Sequence, residues 1–352
     1  MAQRHLDSSE PLNRNGVDVL GCYLRSRATE FLRSLRQHRE SGAAGDTADA
    51  ARALRRAARR ISGTLHTFRP LLDTEWSDAL RPELAWLSGT LAREHAYASR
   101  LDRLSSALHA LSSAPAPTPR GSAPDPAAQS PQGLDLPHRT SRRPPAPRAD
   151  TSGPAPAPGP ERETLSLGAA KASALLERQL TLARTRAHST ALQALGSARF
   201  HAVADSVAVL ASDVPLAPTA TADTDLRKLA AEAEARLTEA ATALHHSSHP
   251  YNADADATWH HVRLLLRLHR YAREVLPDAP MDVRLLDAAD ALNAHRDAAE
   301  AAAAAAHAAR TPRIAPTTAY ALGVLHADQR HEVAAARIAF GQAWQRQTVG
   351  SP

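Results

Sequence analysis

The sequence predicts an all-α protein, and two observations lead to that prediction. Apolar residues recur at three- and four-residue steps through most of the 352 residues, which is the spacing of one face of an α-helix. Hydrophobic residues make up 43% of the chain and are rich in alanine, while only 4% of all residues are aromatic. Alanine favours helices, and the residues that favour strands are few. Closely packed small residues of this kind are typical of helical bundles.

The N-terminal third predicts three or four helices. After a polar stretch, the first predicted helix spans residues 17–37, where apolar side chains recur at helical spacing. A loop at 41–46 contains glycine and aspartate and precedes a second helix over 51–72. Residues 75–111 predict one or two further helices, whose apolar positions include Trp76 and Trp86.

The helix over residues 51–72 carries an unusual charge pattern. Its apolar stripe includes Leu54, Ile61 and Leu65. Five arginines occupy the rest of its first turns: Arg52, Arg55, Arg56, Arg59 and Arg60. Like charges one turn apart repel each other and destabilise a helix. This face is therefore expected to meet solvent, acidic neighbours or an anionic ligand.

Residues 112–162 differ in composition from the rest of the chain. Fourteen of the 25 prolines lie here, together with alanine, serine and glycine, and bulky apolar residues are almost absent. Such a segment cannot bury enough apolar surface to offset the entropy of ordering it. We predict a long disordered, Pro-rich insertion within the first of two bundles.

The remaining elements complete two predicted bundles. Helical periodicity returns over residues 163–211, which pair with the N-terminal helices to give a first bundle over 17–211. The loop at 212–224 is the predicted boundary. The second bundle spans 225–347, with helices predicted over these ranges: 225–246, 259–275, 282–310 and 316–347.

A second charged face lies on the helix predicted over 259–275. Its members recur at steps of three, four and three residues and are His260, Arg263, Arg267 and Arg270. The first three repeat the spacing of Arg52, Arg55 and Arg59. Two amphipathic helices with matching polar positions predict an internal duplication.

These helices, with the segments that follow them, resemble the CHAD domain family. Repeats of that family open with a helix of the type V-H-x-x-R followed by further basic residues. The stretch ARALRRAARRISGTLHTFRPLL is similar to the first copy, and TWHHVRLLLRLHRYARE is similar to the second. AYALGVLHADQRHEVAAARIAFGQAW resembles the family's closing helices. The resemblance implies duplicated antiparallel bundles, each of four-helix type, about a pseudo-two-fold axis, with a basic surface associated with inorganic polyphosphate.

The chain departs from the family pattern at several positions. Arg52 stands where the first motif has its histidine. Other residues replace the expected basic ones at Ser62, Leu264 and Leu268. The Arg-Asp pair that is usual after the first motif reads His95-Ala96, whereas the second copy keeps His295 and Asp297. The resemblance therefore supports the family's fold for this chain more directly than it supports the family's ligand.

The resemblance and the charge pattern together indicate non-catalytic binding of inorganic polyphosphate or a similar polyanion. The candidate polyanion-binding residues are Arg52, Arg55, Arg56, Arg59, Arg60, His260, Arg263, Arg267, Arg270 and His295. Two alternatives stay open. An arginine groove also attracts nucleic acid, although few aromatic residues are present for base stacking. Alternatively, the protein is a diverged helical scaffold that has lost its ligand. Asp297 and Glu300 are expected to orient arginine side chains.

Other chemistry lacks support in the sequence. No nucleophile elbow, phosphate-binding loop or metal-ligand spacing is visible, so we expect no enzyme activity, no metal and no cofactor. Cys22 is the only cysteine and allows no intrachain disulfide. Apolar runs are too short to cross a membrane. We therefore expect a cytoplasmic protein without a membrane partner, and the family resemblance implies a location at polyphosphate granules.

The Pro-rich insertion provides a direct test of the predicted organisation. Limited proteolysis of the full chain should cut first between Ser112 and Arg162, because a segment without secondary structure lacks protecting hydrogen bonds. Mass spectrometry of the first fragments measures this. Initial cleavage inside any of the predicted helices would contradict the assignment.

Overall fold

The computed structural model describes residues 16–40, 44–113, 160–220, 225–244, 249, 251–276 and 282–345. These residues form α-helices and two short 3-10 turns, with no β-strand among them. The all-α prediction is confirmed. The Pro-rich insertion predicted at 112–162 lies outside the described residues, apart from its two ends.

The described residues contain nine helices. Their bounds are α1 (Gly16–Glu40), α2 (Ala44–Thr67), α3 (Thr74–Ser113), α4 (Pro160–Leu195), α5 (Ala198–Ser212), α6 (Leu226–Ala243), α7 (Asp256–Val275), α8 (Val283–Ala309) and α9 (Pro316–Gln345). The region predicted as one or two helices after Asp73 is the single helix α3, which accommodates Pro82. Residues 163–211 form two helices, because Ser197 caps α5 by accepting a hydrogen bond from the Phe200 amide.

The packing pattern shows the duplication. In the first half α1 packs on α2, α2 on α3 and α3 on α4, and the same order recurs for α6, α7, α8 and α9. Across the halves, α2 contacts α7, α3 contacts α8 and α4 contacts α9. The contact of α1 with α7 also has its equivalent, because α6 contacts α2. Reciprocal contacts of this kind are what a two-fold axis requires, and α5 is an addition to the first half.

The hydrophobic core is divided along the helices. One cluster joins α1, α2, α5 and the first part of α3 to the start of α6 and the end of α7, and includes Phe31, Phe68 and Phe200. A second cluster joins α6 and α7 to the ends of α8 and α9. A third cluster brings α3 and α4 together with α8 and α9, largely through alanine and leucine. Apolar packing therefore connects the two halves at the pseudo-two-fold axis.

A buried ion network attaches the start of α7 to α9. Arg330, only 2% exposed, donates a hydrogen bond to Asp256 at 2.7 Å. Arg337 donates to the other carboxylate oxygen at 3.0 Å and lies over the Trp259 ring. The imidazole ring of His295 also stacks on the Trp259 ring, with ring centroids 5.1 Å apart. One carboxylate shared by two guanidinium groups holds the second motif helix in place.

Close approach of α4 and α9 depends on a glycine. A Cβ atom added at Gly168 would lie 2.3 Å from the Thr317 carbonyl oxygen. This oxygen belongs to the backbone of α9, so it can move only if the start of that helix moves with it. By contrast, a Cβ at Gly89 or Gly323 would meet no atom within 4 Å. The three positions are all helical, so they share the same backbone preference.

Substitution by alanine should separate packing from helix propensity. Gly168→Ala should lower the free energy of unfolding by about 1–3 kcal/mol, because it forces α4 and α9 apart. Gly323→Ala should instead raise it by about 0.5–1 kcal/mol, since alanine is the better helix former. Denaturant unfolding followed by circular dichroism measures both, and stabilisation by Gly168→Ala would refute the close contact.

Candidate functional site

The two charged helices meet at the centre of the molecule. Helices α2 and α7 pack against each other. The apolar stripe of α2 faces the first cluster, whereas that of α7 faces the second over most of its length and joins the first only through Ala272 and Val275. Gly63 permits the close crossing, because a Cβ there would lie 2.6 Å from Cδ2 of Tyr271. The polar faces of both helices consequently border a common region.

Five arginines gather in this region, and they are called the arginine cluster below. They are Arg55 and Arg59 from α2, Arg263 and Arg267 from α7, and Arg296 from α8. Burial lowers the pKa of Arg55 to about 10, and the neighbouring positive charges add to the effect. Burial and the charge of Arg267 lower the pKa of Arg263 to about 9. The depressed pKa values indicate that the cations are desolvated and repel one another.

Several donors of this region have no protein acceptor. The Nε atoms of Arg55 and Arg59 and the Nε2 atom of His260 are buried without a hydrogen-bond partner. Arg263 is held differently, because its Nε donates to Asn293 Oδ1 at 2.8 Å. Buried donors are rarely left unpaired in folded proteins, so the protein leaves part of the hydrogen-bonding capacity of these side chains unused.

A cleft of about 510 Å³ opens beside Arg55. We call it the α3–α8 cleft, and the residues that line it are Arg55, Ala92, Arg93, His95, Ala96, Tyr97, Ser99, Arg100, Arg103, Arg296, Asp297 and Glu300. Its two carboxylates are engaged by arginines: Arg296 pairs with Asp297 and Arg100 with Glu300. Both acids therefore contact arginine side chains, and the cleft keeps an excess of positive charge.

A second cleft, of about 380 Å³, lies one turn further along α2. We call it the α3–α7 cleft, and it is lined by Arg59, Ser62, Gly63, His66, Asp78, Arg81, Pro82, Ala85, Ser88, Leu264, Arg267, Leu268 and Tyr271. Arg81 contacts both Asp78 and His66. Burial and the nearby arginines lower the pKa of His66, which favours its neutral form.

Some predicted residues lie outside the arginine cluster. Arg52 pairs with Asp49 on the exposed face of α2, and Arg56 is exposed. Arg60 Nε donates to Glu274 at 2.7 Å, so α2 and α7 are joined there by an ion pair. Arg270 lies close enough to Arg267 for its charge to lower the pKa of that side chain.

The predicted residue His295 is buried, with only 1% of its surface exposed. Burial lowers its pKa to about 4, against the opposing influence of Asp256. Its ring contacts Trp259 and lies edge-on to His260, with centroids 6.0 Å apart. The structure therefore places His295 behind His260 and not on the wall of either cleft.

Sequence reasoning singled out His295 and missed its neighbour Arg296, which belongs to the arginine cluster. It also missed the basic residues that α3 contributes to the α3–α8 cleft, namely Arg93, Arg100 and Arg103. The sequence run His295-Arg296-Asp297 could have indicated Arg296, because Arg296 lies between two residues that match the family pattern. On α3 the arginines Arg93, Arg100 and Arg103 recur at steps of seven and three residues, which places them on one helical face. Only the tertiary fold shows that this face meets α8.

The described part of the chain offers no obvious metal site. No group of three or more His, Cys, Asp or Glu side chains in the described residues could hold a metal ion. Within the same residues, no helix is both long enough and apolar enough to cross a membrane.

Comparison with known proteins agrees with this architecture. A model of the CHAD domain matches residues 26–306. Among solved structures, PptA from Streptomyces chartreusis is 56% identical in sequence and superposes with a TM-score of 0.73. That alignment covers 95% of this chain and 100% of the other. No curated protein matches. Since the family model spans both motif helices and most of the duplicated fold, the chain belongs to the CHAD domain family.

Proposed function

We propose that this protein binds inorganic polyphosphate, without turning it over, along the arginine cluster and the α3–α8 cleft. One observation carries the proposal: arginines from both halves of the duplication are held together, partly buried, with too few carboxylates to neutralise them. Arg55 and Arg59 come from the first copy, and Arg263, Arg267 and Arg296 come from the second. Membership in a family associated with polyphosphate supports the choice of ligand.

The proposed binding uses charge-assisted hydrogen bonds. A guanidinium group presents donors in a planar fork that matches two oxygens of one phosphate. A phosphate chain carries about one negative charge per unit, so successive units can relieve the repulsion between neighbouring arginines. Each phosphate that is neutralised also releases condensed counterions, which makes the affinity strongly dependent on salt.

The carboxylates of the α3–α8 cleft fit binding better than hydrolysis. Hydrolysis of a phosphoanhydride generally relies on metal ions held by acidic ligands. Asp297 and Glu300 instead contact Arg296 and Arg100. We therefore propose that these acids keep the arginines extended towards the ligand and that the protein has no catalytic role.

Nucleic acid is the nearest competing ligand, because its backbone carries the same kind of charge. Single-stranded nucleic acid usually adds base stacking on aromatic side chains. In the clefts the aromatic residues are Tyr97 and Tyr271, and each already has an arginine over its ring, Arg100 and Arg60 respectively. The tryptophans pack against the hydrophobic core or lie in it. This arrangement favours the inorganic chain.

Neutralising two cluster arginines should strongly weaken polyphosphate binding. The variant Arg55→Gln with Arg263→Gln removes one cation from each copy and is expected to reduce affinity at least tenfold, since hydrogen bonds to charged groups contribute about 1.5–3 kcal/mol each. The matched control is Arg178→Gln with Arg186→Gln, two exposed arginines of α4 that line neither cleft. Titrations at two salt concentrations measure both variants.

Three outcomes of those titrations would count against the proposal. Equal losses in the cluster variant and the α4 variant would indicate diffuse attraction without a site. Absence of polyphosphate binding by the wild-type protein at low salt would favour the scaffold alternative. Tighter binding of RNA than of polyphosphate, at matched charge, would favour a nucleic-acid function.

The arginine cluster should also lower the free energy of unfolding of the ligand-free protein. Arg267 is partly buried among like charges, and burial together with Arg59 and Arg296 lowers its pKa. Arg267→Gln should therefore raise the free energy of unfolding of the ligand-free protein by about 1 kcal/mol, because a repelled, desolvated charge is removed. Thermal melting with and without polyphosphate measures this. A marked loss of stability in the ligand-free variant would show that Arg267 has a structural role.

A further inference from the structure

The α3–α7 cleft differs in chemistry from the α3–α8 cleft, although α2 borders both. Its walls are mainly apolar and come from Leu264, Leu268 and Tyr271 on α7 and from Pro82 on α3. Leu264 is 47% exposed, so a large apolar side chain faces open space in this cleft. Exposed apolar surface inside a concave site commonly marks where a ligand lies.

The apolar wall results from differences between the two copies. When α2 and α7 are aligned on their motifs, Leu264 and Leu268 occupy the positions of Arg56 and Arg60. Tyr271 occupies the position of Gly63, and the missing side chain at Gly63 leaves the space into which the tyrosine ring fits. The second copy therefore supplies apolar groups where the first supplies cations.

Cations remain at one side of the cleft. Arg59 and Arg267 belong to its lining, and the buried Nε of Arg59 has no hydrogen-bond partner in the protein. Arg81 is accompanied by Asp78, which also pairs with Arg69 at 2.7 Å. An anionic group is thus attracted to the Arg59 and Arg267 side, while the leucine wall is suited to an uncharged, apolar group.

We propose that the α3–α7 cleft binds a small amphiphilic anion, with a phosphate or carboxylate head on Arg59 and Arg267 and a hydrocarbon body on Leu264 and Leu268. This inference goes beyond polyphosphate binding, and its anionic head shares Arg59 and Arg267 with the arginine cluster. A cleft of about 380 Å³ is within the range of small-molecule sites. The apolar wall disfavours a second stretch of inorganic phosphate, because an ion loses hydration there without gaining partners.

The hydrocarbon body is favoured over a nucleobase by the polar groups near the wall. A base needs hydrogen-bond partners along its edge. Ser62 donates to the Arg81 carbonyl oxygen, Ser88 donates to the Ala85 carbonyl oxygen, and His66 contacts the Arg81 guanidinium. These side chains already form hydrogen bonds within the protein, so an apolar body, which needs no hydrogen-bond partner, is the better match.

The test is calorimetric titration of the full chain with n-octyl phosphate, kept below its micelle-forming concentration. We expect one binding site and a dissociation constant at least tenfold lower than that of inorganic phosphate, because burial of two methylene groups alone contributes about tenfold. Leu264→Arg with Leu268→Arg should abolish this preference. The matched control is Leu182→Arg with Leu192→Arg, two leucines of α4 that are 49% and 53% exposed and lie outside both clefts.

Retained preference for octyl phosphate in the α4 variant, with its loss in the cleft variant, supports the proposal. Equal affinity of the wild-type protein for octyl phosphate and inorganic phosphate overturns it, as does an equal loss in both leucine variants. Tighter binding of adenosine monophosphate than of octyl phosphate overturns it in favour of a nucleotide. Polyphosphate binding by the wild-type protein and by the α4 leucine variant, measured in parallel, shows whether the polyphosphate proposal fails while the amphiphile proposal stands.

Discussion

Mutual repulsion among the central arginines is the interaction on which the rest of the structure depends. Arg55, Arg263 and Arg267 lie partly out of water and close to further cations, so their positive charges oppose the crossing of α2 and α7. The fold must supply enough apolar packing on the far sides of both helices to hold them together. The phenylalanine-rich cluster behind α2 and the leucine- and tryptophan-containing cluster behind α7 meet that requirement.

Small residues and a few ion pairs complete the connection between the halves. Alanine-rich faces of α8 and α9 pack with α3 and α4 in one cluster, and glycine lets α4 approach the start of α9. The Arg60–Glu274 pair, to which Tyr23 also donates, links α2 with α7 beside the cluster. Because the scaffold is stabilised away from the cations, the arginine cluster can retain an excess of positive charge without unfolding the protein.

Duplication followed by divergence explains the apolar wall of the α3–α7 cleft. A two-fold axis would give equivalent positions the same chemistry, yet α2 keeps arginine where α7 has leucine, and α7 has tyrosine where α2 has glycine. The buried network of Asp256, Arg330 and Arg337 also belongs to the second copy alone among the described residues. The positions nearest the axis, Arg55 with Arg263 and Arg59 with Arg267, remain alike and form the cluster.

The sequence by itself determined the fold class, the duplication and the two motif helices, because helical periodicity and repeated charge spacing are local patterns. It also indicated the cluster members on α2 and α7. Tertiary structure decided which charges meet. It buried His295 against Trp259, paired Arg60 with Glu274, and brought Arg100 of α3 beside Arg296 of α8 in one cleft. The contacts of Arg60 with Glu274 and of α3 with α8 join residues about 200 positions apart, and no local spacing encodes the distance between them.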